Sequence, residues 1–155
     1  MYKNIFFIIL ISVFVTNCGF TPIYSNKIDS NFSIDSLALN GDRTINNLIK
    51  SNLEKFQNKK FDKRLSLEIN TNYKKEILVK DKTAKIQSYR LIVKSLIEIS
   101  SDGKKLKKIN LSSIKDMDSI DDEFEEEKNE KIIIQNFGSE IANQIIVELS
   151  LLDDY

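Results

Sequence analysis

The chain has 155 residues, with 23 Lys and Arg balanced by 23 Asp and Glu, no histidine and a single cysteine. One cysteine forbids a disulfide within the chain, and the lack of histidine removes Cys/His nucleophilic pairs, imidazole acid–base chemistry and the usual zinc sites. The expectation is a protein that is not an enzyme, holds no metal and, with a net charge of zero, does not bind nucleic acid.

The N-terminus has the layout of an export signal. One cation, Lys3, precedes the apolar run Ile5 to Val15. That run is too short for a transmembrane helix of about 20 residues but suits the apolar region of a signal peptide. Cys18 follows directly, within Val15-Thr16-Asn17-Cys18, and this reads as a bacterial lipobox. Asn17 stands where such sites usually carry Gly, Ala or Ser. Cleavage before Cys18 removes residues 1–17 as a lipoprotein signal peptide and leaves 138 residues, one domain's worth. Cys18 then carries a diacylglyceryl group and an N-acyl chain, which leaves no free thiol; no other cofactor is expected. Residues 18–30 read as a lipidated tether, since Gly19 to Ser30 hold the only proline, Pro22, which disfavours helix around it.

Residues 31–155 read as one domain. Asn31 to Asn40 is a strand with Phe32, Ile34 and Leu37 apolar and a slip of pattern near Ser36. Asn40-Gly41-Asp42 is a turn that offers Asp42 as an N-cap. Arg43 to Asn58 carries Ile45, Leu48, Ile49, Leu53 and Phe56 at helical intervals. Leu65 to Val79 alternates, with Leu65, Leu67, Ile69, Thr71, Tyr73, Ile77 and Val79 on the apolar-leaning face. After a polar turn at Lys80-Asp81-Lys82, Lys85 to Ser100 alternates again, and Ile92 and Leu96 on its second face predict cover on both sides. Ser101-Asp102-Gly103 is a hairpin turn. Leu106 to Ile114 is a weaker strand whose phase changes after Leu106, the mark of a bulge. The final stretch places Ile134, Phe137, Ile141, Ile145, Leu149 and Leu152 on one helical stripe, starting between Asp121 and Glu130. Gly138 inside it suggests close packing against the sheet. The order β-α-β-β-β-α predicts an α+β two-layer sandwich, two helices on one face of a roughly four-stranded mixed sheet.

The zero net charge hides an uneven distribution. Lys74 to Lys108 holds eleven cations against four acids, and Asp116 to Glu130 nine acids against one lysine. The acidic run is not an EF-hand, because the glycine and terminal Glu that such a loop requires are not in register, and it reads as a solvated loop and helix start.

Cys18-Gly19-Phe20-Thr21-Pro22-Ile23-Tyr24 resembles the CGF-x-P-[LI]-Y start of mature LptE, the lipopolysaccharide-assembly lipoprotein family of the bacterial outer membrane. The element order is similar to that family's. The resemblance implies a lipid-anchored protein on the periplasmic face of the outer membrane. It implies a partner, an LptD-type β-barrel that the domain plugs and helps to assemble, and support for lipopolysaccharide insertion into the outer leaflet. Gly19 in place of Asp permits outer-membrane sorting. Against that background Lys80, Lys82, Lys85, Arg90 and Lys94 are candidates to pair with lipopolysaccharide phosphates. The same residues also read as a solvated sheet face, or as contacts to acidic walls of a barrel lumen. A competing reading is an independent lipid-binding or lipid-transport lipoprotein, which predicts a hydrophobic groove between helices and sheet.

Overall fold

The computed structural model describes residues 32–152 except 58, 60 and 62; the expected signal peptide and tether lie outside them. Four strands form one sheet in the order β1-β2-β3-β4: β1 Phe32–Gly41, β2 Lys63–Lys80, β3 Ile86–Ser101 and β4 Lys104–Asp118. Helix α1, Arg43–Leu53, joins β1 to β2, and α2, Glu123–Ser150, follows β4. β1 and β2 are parallel, which requires the α1 crossover between them, while β2–β3 and β3–β4 are antiparallel hairpins. The expected α+β two-layer sandwich with a mixed sheet is the architecture observed.

The period-two rows explain the core. Leu65, Leu67 and Ile69 of β2, Leu91, Val93, Ile97 and Ile99 of β3, and Ile109 of β4 all point to one face and are buried. α1 adds Ile45, Ile49 and Leu53; α2 adds Phe137, Ile141, Ala142, Ile145, Ile146 and Leu149. Both phase slips are bulges. Asp35 is the extra residue between Ile34 and Ser36 of β1, and Leu106 is the extra residue where Ile99 and Ser100 face Lys107 and Lys105.

Caps and turns follow from local chemistry. The Asp42 carboxylate accepts from Ile45 N–H at 2.9 Å and caps α1. Gly41 precedes it at φ +93°, where a Cβ would overlap the Thr71 carbonyl, so only glycine lets the chain turn here. Asp102 and Gly103 both have positive φ, as the two-residue hairpin turn requires.

Four expectations are corrected. α1 ends at Leu53 and continues as a short 3₁₀ turn, Glu54–Phe56, because Phe56 leaves the helical spiral to stack on Phe32, ring centroids 5.3 Å apart. The β2–β3 turn runs through Asp81–Lys85 rather than Lys80–Lys82: the Asp81 carboxylate accepts from Thr83 N–H and hydroxyl and from Lys85 N–H, at 2.7–2.9 Å. The second face of β3 has no covering layer among the described residues, and Ile92 and Leu96 are half-buried by cross-strand neighbours. Gly138 meets α1, not the sheet: a Cβ there would lie 2.5 Å from Leu48 Cβ.

Candidate functional site

The lipidation candidate, Cys18, lies outside the described residues. What the fold shows is where the chain enters the domain: Phe32 opens edge strand β1 opposite Lys63, the first residue of β2.

The five basic candidates do not converge on one point. Lys80 ends β2, Lys82 lies in the turn and Lys85 follows it, all exposed. Arg90 and Lys94 stand on the outer face of β3, away from the helices. There the cross-strand rows are Glu76–Arg90–Asp116, Lys74–Ile92–Ile114, Asn72–Lys94–Ser112 and Asn70–Leu96–Asn110. The last two rows line a shallow depression of about 380 Å³. Charge is already engaged at two of the five. Lys85 Nζ lies 2.6 Å from Asp121, which holds its ammonium above the usual lysine range. Arg90 makes a two-pronged pair with Asp116, Nε at 2.8 Å and a terminal nitrogen at 3.0 Å. That contact raises the guanidinium pKa and lowers the carboxyl. Lys80, Lys82 and Lys94 have no carboxylate at ion-pair distance among the described residues.

The acidic stretch is the counterpart of the basic hairpin. Besides Asp116 and Asp121, Asp122 caps α2 by accepting from Phe124 and Glu125 N–H, where negative charge also suits the helix dipole. Glu126 and Glu130 reach back to β2. Lys75 Nζ donates to Glu130 at 2.7 Å and Glu126 at 3.1 Å, and lies 4.1 Å from the Tyr89 ring centroid. Tyr73 donates its hydroxyl to Glu130 at 2.7 Å. Ser119 Oγ and Ile120 N–H donate to Glu126. Burial pulls the Lys75 ammonium down, but the hydrogen bonds to Glu130 and Glu126 outweigh it and leave it raised. For Glu126 burial raises the carboxyl, and the donors from Lys75, Ser119 and Ile120 bring it below its ordinary value. Burial and the Glu130 carboxylate push the Tyr73 phenol well up.

This half-buried cluster had one signal in the sequence. Lys75 occupies an inward position in the otherwise apolar-leaning odd row of β2, and an inward ammonium needs carboxylates. Among the described residues no group of His, Cys, Asp and Glu side chains is arranged to hold a metal ion, and no helix is long and apolar enough to cross a membrane.

No protein-family model and no curated protein sequence matches the chain. Solved structures do match in shape. Rare lipoprotein B from Shewanella oneidensis superposes with a TM-score of 0.59 at 14% identity, over 75% of this chain and 94% of the other. A minor lipoprotein from Acinetobacter baumannii gives 0.51 at 15% identity, over 74% and 92%. Lipoprotein B from Nitrosomonas europaea, itself uncharacterized, gives 0.52 at 13% identity, over 78% and 86%. At these identities the likeness is one of fold: the chain has the α+β sandwich of this set of bacterial lipoprotein structures.

Proposed function

We propose that the chain is an LptE-like lipoprotein, anchored through Cys18 to the periplasmic face of the outer membrane. Its domain plugs and assists assembly of an LptD-type β-barrel, and so supports lipopolysaccharide insertion into the outer leaflet. One observation carries the reading: the Cys18–Tyr24 motif precedes a domain whose fold is that of proteins named as lipoproteins.

The role is one of shape and attachment, not catalysis. Among the described residues the sheet presents an uncovered outer face of charged, amide and hydroxyl groups interrupted by Ile92, Leu96 and Ile114, a mostly polar texture that suits a polar lumen wall. A lipid on Cys18 and a docked domain give two attachments, which lengthens residence without new contacts. Lys80, Lys82 and Lys94 are the cations best placed to meet lipopolysaccharide phosphates; Lys85 and Arg90 would first have to leave Asp121 and Asp116. The independent lipid-binding reading needs an acyl-sized groove between helices and sheet, and that space is filled by Ile45, Ile49, Leu53, Phe137, Ile141 and Ile145.

Three experiments test the proposal. Palmitate labelling should be present in the native chain and absent in Cys18→Ala; labelling that persists removes the lipoprotein reading. Purification of the tagged protein in mild detergent should recover a large β-barrel in stoichiometric amount. Lipid without a barrel would overturn the plug role in favour of lipid carriage. Charge reversal at Lys80 and Lys82, and separately at Arg90 and Lys94, should weaken lipopolysaccharide binding; unchanged binding in every variant rules out direct contact there.

A further inference from the structure

We infer that the end of the domain nearest the tether is a contact surface for an anionic phospholipid bilayer. The inference rests on the anchor reading only for which bilayer lies within reach. Several segments meet at this end. Phe32 faces Lys63, Phe56 stacks on Phe32, and Ser101 donates its hydroxyl to the Arg64 carbonyl at 2.8 Å while pairing with Lys104 across the last hairpin. Residues 54–64 hold five cations against two acids, and residues 101–108 four against one.

Part of that charge is offset nearby. Arg64 faces Asp35, Lys105 and Lys108 face Glu98, and Lys107 faces Glu148. Asp153 and Asp154 follow Leu152 in the sequence, outside the described residues. The free surplus therefore rests on Lys55, Lys59 and Lys104, which are exposed and have no carboxylate at ion-pair distance among the described residues. The Nζ atoms of Lys55 and Lys59 lie over the Phe56 ring, 5.2 and 5.3 Å from its centre, and Lys59 Nζ lies 5.9 Å from that of half-buried Phe61. Exposed lysines whose ammonium groups rest over aromatic rings give the mix of charge and apolar surface that suits the headgroup level of a membrane.

The other end of the molecule has the opposite sign. Residues 80–90 and 116–130 together hold ten acids against five cations. An anionic surface repels that end and attracts the tether end. Reach acts in the same direction. Cys18 is 14 residues before Phe32, so the tether spans at most about 50 Å. The 18 residues of β2 extend about 56–60 Å. A chain anchored at Cys18 cannot stand on its acidic tip, whereas its basic end lies within easy reach of the bilayer.

The test uses the mature chain from residue 18 with Cys18→Ala, so that no acyl chain contributes and a failed palmitate assay leaves the result intact. Vesicles of equal parts phosphatidylglycerol and phosphatidylethanolamine should sediment with the protein, phosphatidylcholine vesicles should not, and binding should fall as salt rises. Replacing Lys55, Lys59 and Lys104 by Gln should lower the partition coefficient by about fivefold each and about 100-fold together. Replacing the exposed Lys115, Lys128 and Lys131 by Gln, at the acidic end, should leave it unchanged. Circular dichroism of each variant checks folding, which exposed Lys→Gln changes should not disturb. The inference is overturned if the native sequence ignores anionic vesicles, if binding is insensitive to salt, or if the Lys115/Lys128/Lys131 variant loses as much as the other.

Discussion

Replacing Gly138 by Ala sets two calculable effects against each other. In an isolated helix the change is favourable by about 1 kcal/mol, because glycine loses more backbone freedom on folding. In this fold the added Cβ would lie 2.5 Å from Leu48 Cβ and 3.0 Å from its Cδ1, where carbons in contact prefer about 3.5–4.0 Å. Leu48 Cβ is fixed to the α1 backbone, so rotating the side chain cannot clear it and the helices must separate. Overpacking of this kind costs about 1–3 kcal/mol, and a Cβ–Cβ overlap belongs at the upper end. The expected net loss is about 2 kcal/mol, a fall of about 1 M in the urea midpoint at an ordinary slope for a domain of this size. A second background isolates the cause. In Leu48→Gly the obstructing atoms are gone, so Gly138→Ala should become stabilising by about 1 kcal/mol. If Gly138→Ala stabilises the otherwise native chain, the α1–α2 approach described here is wrong.

Three further outcomes follow, two from polar contacts and one from the backbone. Lys75→Met should destabilise by about 1–2 kcal/mol, since Glu126 and Glu130 lose their cation in a half-buried place; the deficit, read by urea melts across pH, has a defined window. Glu126 is lowered in the fold, so its share is present above the unfolded carboxylate pKa and lost as pH falls through the folded one. Lys75 is raised, so its share is present below the unfolded lysine pKa and lost as pH rises through the folded one. The gap between native and Lys75→Met should therefore be widest near neutrality and close at both extremes. Lys63→Met should cost about 1 kcal/mol, because Lys63 donates to the Leu152 carbonyl just past a helix whose last turn holds no basic residue. Faster hydrogen exchange confined to the end of α2 is its signature. Ala84→Gly should stabilise by about 0.5 kcal/mol in thermal melts, since Ala84 sits at φ +64° and the strain relieved there exceeds the extra entropy of glycine.

The rows that built the sheet were legible because a half-buried strand repeats every two residues. The odd positions of β2 and β3 settled which face is buried, and even the slips at Ser36 and Leu106 marked real bulges. Phe56 misled because its spacing fits a helix equally well, and only its stack on Phe32, 24 residues earlier in the chain, ends the spiral. Ile92 and Leu96 suggested a second covering layer; Ile92 pairs across strands with Ile114, and such lateral contacts are invisible to a one-dimensional pattern. Gly138 was legible as a place of close packing, but not whose surface it met. The Lys75 cluster was the largest omission. Its carboxylates lie 51 and 55 residues away, and ion pairs have no period. Of the site, Cys18 and the basic residues were readable as chemistry, while the pairing of Lys85 and Arg90 with the acidic stretch needed the fold.

That pairing changes what the acidic stretch is for. Read linearly, Asp116 to Glu130 looks like a solvated run that repels itself. In the fold it returns along β4 and α2 to the hairpin it balances, so that Asp116, Asp121, Glu126 and Glu130 each meet a cation from β2, β3 or the turn between them. In β2 the apolar row ends early: beyond Thr71 it becomes half-buried Tyr73 and Lys75 and then exposed Ile77. Apolar burial continues beside it on the neighbouring strands, at Val93, Leu91 and Met117. The polar cluster ties β2 to α2 next to them, with the Asp81-centred turn beyond it. Stiffness at this end comes from carboxylates and lysines that also keep it hydrated. The same carboxylates leave that end net acidic even though Lys80 and Lys82 stay outside the pairing, while residues 54–64 and 101–108 at the opposite end are net basic.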